Sequence, residues 1–439
     1  MDQLPSHVYM STQLKVSRIF GIWPYPEGTP LWKKVASKFV FYVLLGLKVA
    51  SSYLVLYHIY YEWGHLPDPI DTVINITAHF NTTFGMMYIP CKIKKFQALL
   101  KLMDRTFMVS EDKSEDDFEK DRQRLFERAM KSAAFVTKLF ISVGLMTGVF
   151  YSIQPLGQQD GERKLPYRVT FPFGIDVSSG TNYWLAYSLL MANFFGMCIN
   201  GTINCDMFVS LIIKTTCQFS FLKHMLLNIR ESVRRQKNTF NIRLESADSK
   251  VEEKSLKVST HKEEEDKTSK NEIEFLDDQE NELIVKRLNE CLKFHQDMLL
   301  FVKEMDEHVS LFMLAQIGVY VGFLCMNIFA LSIVPMLSPL FLQVAMFITS
   351  ISCLLLVFSW YGNELQLKSL EVADAAYNCD WVNGPEPFKK SLIMLIWRAQ
   401  KPVKLTAWKF FTVDLNLFIT VMKTSYSYYQ VMHTMYSEE

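Results

Sequence analysis

The residues of this chain that could do chemistry are dispersed, and that excludes most catalysis at the outset. His58, His65, His79 and His433 fall in or beside apolar runs with nothing to join them as metal ligands. Cys91, Cys198, Cys205, Cys217, Cys291, Cys325, Cys353 and Cys379 follow no zinc spacing and read as small buried apolar residues, with no structural disulfide. There is no HExxH, no phosphate-cradling glycine loop and no glycine-flanked nucleophilic serine. Neither an enzyme nor a cofactor is expected. The polar residues that do have a spacing lie in the mostly apolar stretch from Ala407 to Tyr436. There Asn416, Thr420, Lys423, Ser427, Gln430 and Thr434 follow at steps of three and four, which puts them on one narrow face of a helix. Leu417, Phe418, Val421, Met422, Tyr428, Tyr429 and Met432 cover its other sides. A lysine near the middle of a membrane span costs roughly 2.5–3.5 kcal/mol on insertion scales, so this face should meet protein or water. The chemistry it offers is ion passage along a pore wall; the other arrangement with the same spacing is a buried polar seam between packed helices.

The elements that must position these residues are membrane helices. Of 439 residues 49% are hydrophobic, 14% aromatic and 22 are Met, which reads as a polytopic membrane protein. The formal net charge of +0 says nothing about acidic partners, and the basic residues flank apolar runs without the aromatic platforms of nucleic-acid binders. No secretory signal is expected before the first apolar segment. Runs of spanning length lie at 36–61, 70–91, 132–154, 182–214, 309–333, 340–361 and 408–434, the fourth long enough to project beyond the bilayer. Lys and Arg cluster before the first run and after the second, fourth and sixth. The link from Glu62 to Pro69 has none, and the third link has only Arg163, Lys164 and Arg168. By the positive-inside rule the N-terminus is cytosolic and the C-terminus extracellular, opposite to a G-protein-coupled receptor. The fold expected is an all-α membrane protein of seven transmembrane helices. It divides into a cytosolic N-terminal segment (1–35), four spans with their cytosolic link (36–233), a charged insert (234–282) and a C-terminal part (283–439).

The cytosolic links carry structure of their own. Ile284, Leu288, Cys291, Leu292, His295, Met298, Leu299 and Val302 form an apolar helix face that runs on into the fifth span. Phe388, Leu392, Leu395 and Ile396 repeat the design over 387–401 until Pro402 stops it. Such helices pack together as an anchor bundle under the membrane or lie on lipid headgroups. From Arg234 to Glu280 the composition turns to Lys, Glu, Ser and Asp, too polar to offset ordering, and is expected to be disordered. The glycosylation sequons at Asn81 and Asn200 sit inside predicted spans and are discounted; Asn75 lies nearer a membrane edge.

With this orientation the outer halves of the second, third, fourth and sixth spans come together. They offer Phe80, Phe84, Met146, Phe150, Trp184, Tyr187 and Met191 as apolar walls, with His79, Thr83, Thr349 and the Tyr187 hydroxyl as sparse hydrogen-bonding groups. This is the composition of a small-molecule site and also of ordinary interhelical packing. A volatile, mostly hydrocarbon ligand with one oxygen function, such as an ester or terpenoid, would suit these walls.

The C-terminal block FFTVDLNLFITVMKTSYSYYQVM, Phe410 to Met432, is similar to the last-helix signature of insect odorant receptors, most specifically at Lys423-Thr424-Ser425-Tyr426-Ser427-Tyr428. The turn at Trp23-Pro24-Tyr25-Pro26, the seven runs and the basic second cytosolic link extend the resemblance along the chain. It implies a ligand-gated, non-selective cation channel in the plasma membrane of sensory neurons. In it an odorant-tuning subunit assembles with a common coreceptor into a hetero-oligomer, a tetramer, around a pore lined by the last helix. It places the gate at Val431 and Thr434, beside Gln430 and Ser427, and Lys423 marks the chain as resembling a tuning subunit. The insert from Arg234 to Glu280 is longer than most such subunits carry. A gustatory-type receptor channel of the same superfamily, or a membrane transporter or enzyme, are the other readings.

Overall fold

The computed structural model describes residues 11–61, 69–107, 117–153, 165–167, 169–172, 177, 180–235, 265–336 and 338–437. The described residues are almost wholly helical: α1 (Ser11–Ile19), α2 (Leu31–Tyr61), α3 (Pro69–Cys91), α4 (Ile93–Phe107), α5 (Asp117–Ile153), α6 (Gly180–Leu227), α7 (Glu265–Ile333), α8 (Pro339–Asn378), α9 (Glu386–Ala399) and α10 (Leu415–Ser437). Five of these, α2, α5, α6, α7 and α8, are long and apolar enough to cross a membrane. α3 and α10, which cover the expected second and seventh spans, are not among them. α3 carries Asn75, Thr77, His79, Asn81, Thr82 and Thr83, and α10 carries its polar stripe, which dilutes both.

α6 is the axis. Every residue from Thr202 to Thr215 is buried, the polar Asn204, Asp206, Ser210 and Lys214 included, because other helices surround this stretch. α1, α2, α3, α5, α7 and α8 all pack against it. Inside this core Gln13 donates to Thr137 (3.1 Å) and Ser210 (2.9 Å), and Thr137 donates to Asp206 (2.9 Å), which ties the N-terminal helix α1 to α5 and α6. The sequence reading left α1 unassigned.

α7 has 69 residues and at ~1.5 Å rise is roughly 100 Å long, far more than a bilayer core requires. Two expectations change here. The cytosolic helix and the fifth span are one continuous helix, because the apolar face of Ile284 to Val302 passes into the span without a breaker. The helix also begins at Glu265, inside the insert expected to be disordered; residues 236–264 lie outside the described ones. Ile284, Leu288, Cys291, Met298 and Val302 of α7 are buried, as are Phe388, Leu392, Leu395 and Ala399 of α9. α7, α8 and α9 pack on one another, the expected bundle. α4 adds Phe96, Leu99, Leu100 and Met103 to the same core against α7, from a link read only as basic. Buried His295 touches Phe219 of α6 edge-on at 6.4 Å, and burial, helped by the Arg398 cation, pushes its pKa down to about 4.

Before the last helix the chain makes a small antiparallel hairpin, Thr406–Ala407 (β1) with Phe411–Thr412 (β2). Trp408 and Lys409 adopt positive φ (49° and 62°) to turn it. The last span expected over 408–434 therefore starts as a helix only at Leu415. The hairpin is clamped to α7, since Asp306 accepts from the Thr406 backbone N–H (2.5 Å) and hydroxyl (2.9 Å).

Candidate functional site

Asp414 caps α10, its Oδ1 accepting the Leu417 N–H at 3.1 Å. One face of the helix, Leu417, Val421 and Ser425, is buried at successive turns against α7 and α8. The opposite face is the polar stripe: Asn416, Thr420, Lys423, Ser427, Gln430 and Thr434 are all exposed, and so is Val431. Among the described residues no other helix of this chain covers it, so the stripe is not a seam inside the chain. The hydroxyls of Thr420, Ser427 and Thr434 donate to carbonyls four residues back, at 2.7, 3.0 and 3.0 Å. Each hydroxyl oxygen keeps acceptor capacity beyond the bond it donates.

The residues expected at the ligand pocket separate into two groups. His79, Tyr187 and Met191 face inward. His79 is buried with its ring edge-on to Tyr167 at 5.8 Å and its Nδ1 3.1 Å from Ser52 Oγ. Met191 and Tyr187 belong to an apolar cluster built on Val55, Tyr151, Leu190 and Phe194, and the Tyr187 hydroxyl donates to the Ser152 carbonyl. The others turn elsewhere. Phe80 is 67% exposed, and Met146, Phe150, Trp184 and Thr349 are also exposed. Thr83 donates back to the His79 carbonyl (2.7 Å), and Phe84 stacks on Phe312 in the main core at 6.4 Å.

The inward cluster contains residues that the sequence reading missed. Tyr151 and Phe194 stack at 4.1 Å with planes 6° apart, and Phe347 of α8 meets both edge-on. Below them lies a polar layer: Ser51 and Tyr167 share a 2.6 Å hydrogen bond, and Asn193 donates to both (3.0 and 3.2 Å). Beside that layer a narrow cleft, open at its mouth, lies among α2, α3, α6 and the turn after α1, with Lys48, Thr82, Asn193 and Asn200 in walls otherwise apolar, Phe20, Leu44, Met86 and Met197 among them. The signal for this region was present. Lys48, Ser51 and Ser52 interrupt the first apolar run, and the lysine argument applied to Lys423 applies equally to Lys48. Among the described residues no cluster of His, Cys, Asp and Glu has a metal-binding arrangement.

The fold is that of known receptors. The olfactory receptor OR5 of Machilis hrabei, in a structure with eugenol, superposes with a TM-score of 0.73 at 12% identity, over 97% of this chain and 98% of that one. Odorant receptor 10 of Aedes albopictus is 20% identical over 421 residues, 96% of each protein, and odorant receptor 13a of Drosophila melanogaster 21% identical over 450, covering 96% and 94%. The match to odorant receptor Or2 of Anopheles gambiae is 31% identical over 150 residues and takes in only 39% of that protein. Odorant receptor coreceptors are similar over a shorter stretch, that of Aedes aegypti being 36% identical over 76 residues, 17% of this chain. The family described as 7tm Odorant receptor matches residues 68–426, the greater part of the sequence. A helical bundle wound on α6, a last helix with an uncovered polar face and this match together make the chain a member of the insect odorant receptor family.

Proposed function

We propose that this chain is the odorant-binding subunit of a ligand-gated, non-selective cation channel, crossing the plasma membrane of sensory neurons seven times with its N-terminus in the cytosol. It assembles with an odorant receptor coreceptor into a heterotetramer around a pore to which α10 contributes. The observation that carries this reading is the division of α10 into a face buried on its own chain and a polar face that none of the described residues covers. A polar stripe containing Lys423 is costly against lipid, so it needs water and neighbouring subunits. In a mixed assembly, coreceptor subunits without that lysine dilute its charge, which keeps cation passage open. α3 and α10 are the second and seventh spans, shielded from lipid on their polar sides by the assembly.

The odorant, an apolar volatile with one oxygen function such as an ester or terpenoid, sits between the Tyr151–Phe194–Phe347 cluster and the polar layer beneath it. The Machilis hrabei receptor that shares the fold was solved with the small aromatic molecule eugenol. Binding opens the pore only to the extent that it favours the open state over the closed one. The test is current in cells expressing this chain with and without a coreceptor, during exposure to a panel of volatiles. Ligand-evoked cation current that needs both chains is expected, and its absence for every volatile would contradict the reading.

A further inference from the structure

We propose that the cleft beside Lys48 holds the carboxylate of an aliphatic acid. This rests on the ligand-binding reading above and adds to it a second class of ligand, acids, at the neighbouring cleft. Lys48 stands midway along α2, 3% exposed, and its ammonium has no hydrogen-bond partner among the described residues. No Asp or Glu lines the cleft. The other donors in its walls are engaged. Asn193 donates to Ser51 and Tyr167, Asn200 donates to the Thr82 carbonyl (3.1 Å), and the Thr82 hydroxyl donates to the Ala78 carbonyl (2.7 Å). Lys48 is thus the donor left over, in a cavity whose remaining walls, Leu44, Met86 and Met197 among them, suit a hydrocarbon chain.

A buried ammonium is tolerated when it is paired. A carboxylate supplies the opposite charge and two acceptor oxygens, whereas an ester or alcohol leaves the charge uncompensated. Two sources share this chemistry, a short volatile acid and a long fatty acid from the membrane.

The test is saturable binding of radiolabelled octanoic acid to the full chain in phosphatidylcholine nanodiscs. Wild type should bind and be displaced by unlabelled octanoate, with methyl octanoate and 1-octanol about tenfold weaker or worse. Lys48→Met, which keeps the stem, should weaken binding by about tenfold or more, and Lys48→Arg should restore most of it. Stronger displacement by oleate than by octanoate assigns the site to a membrane acid, and the reverse to a volatile one. Absence of saturable binding, equal binding by Lys48→Met, or equal competition by the methyl ester would overturn the proposal. Should Lys48→Met fail to fold, the comparison of acid with ester on wild type decides. Current evoked by neutral volatiles without octanoate binding overturns this assignment and leaves the channel reading intact. Octanoate binding without any current supports the site and removes the channel reading.

Discussion

Asn193 joins the polar layer to the cleft below it, its amide held by Ser51 and Tyr167. Asn193→Leu should leave those two hydroxyls with one partner fewer and lower stability by about 1–3 kcal/mol, read as a drop in melting temperature of the purified protein. Phe194 tests the ligand site itself. Phe194→Ala removes the ring stacked on Tyr151 and should raise the odorant concentration for half-maximal current by roughly tenfold, while Phe80→Ala, on an exposed face, leaves it unchanged. Agonists acting on the coreceptor should be unaffected in both. Equal shifts from the two substitutions would remove the assignment. Composition drew attention to aromatic residues in the outer halves of the spans, and His79, Tyr187 and Met191 do face inward. Whether a ring on an all-apolar helix faces lipid or protein is not encoded by its type, which is why Phe80 and Trp184 could not be told from Phe194 by sequence. Lys48 and Ser51 were the legible clue, because polar side chains inside an apolar run rarely face lipid.

At the scale of elements, long apolar runs were readable and their ends were less so. The start of α10 shows why. Trp408 and Lys409 belong to the apolar run, yet their positive φ turns a hairpin, a conformation that composition does not announce. Asp414 before Leu415 was the available start signal. Gly362 of α8 sets how closely this segment packs, since a Cβ there would meet the Val413 carbonyl oxygen at 2.2 Å. Gly362→Ala should push the base of α10 away from α8, costing about 1–3 kcal/mol of stability and shifting ligand sensitivity. Unchanged melting and unchanged dose response would show that α10 does not depend on this contact. The anchor bundle carries a pH dependence through His295. Its folded-state pKa of about 4 lies below the ordinary 6.5, so the unfolded chain takes up the proton first as pH falls. Its contribution is complete above pH 6.5 and is lost as pH drops towards about 4. His295→Phe should flatten the difference in melting temperature between pH 7.5 and pH 5; an equally steep difference in the variant would place the effect elsewhere. The apolar face around His295 was legible because its spacing is strict, whereas continuity of α7 was not, since a cytosolic helix and a span meet there without a change of period.

For the whole molecule, the proposed orientation rests on the alternation of basic links. Epitope tags at Lys113 and Ser259 should stay hidden on intact cells and a tag after Glu439 should be stained, the opposite pattern contradicting seven spans with the N-terminus inside. The central claim is that the uncovered face of α10 lines a pore, and cysteine scanning of that helix tests it most directly. Cells expressing this chain with a coreceptor would carry Val431→Cys, Thr434→Cys or, on the buried face, Val421→Cys, and ligand-evoked current would be recorded before and after a charged methanethiosulfonate reagent applied from outside. The account expects the reagent to remove more than about half of the current at Val431 and Thr434 and to leave Val421→Cys unaffected. Current unchanged at both exposed positions, or equal inhibition at Val421, would mean that this face does not line the conduction path.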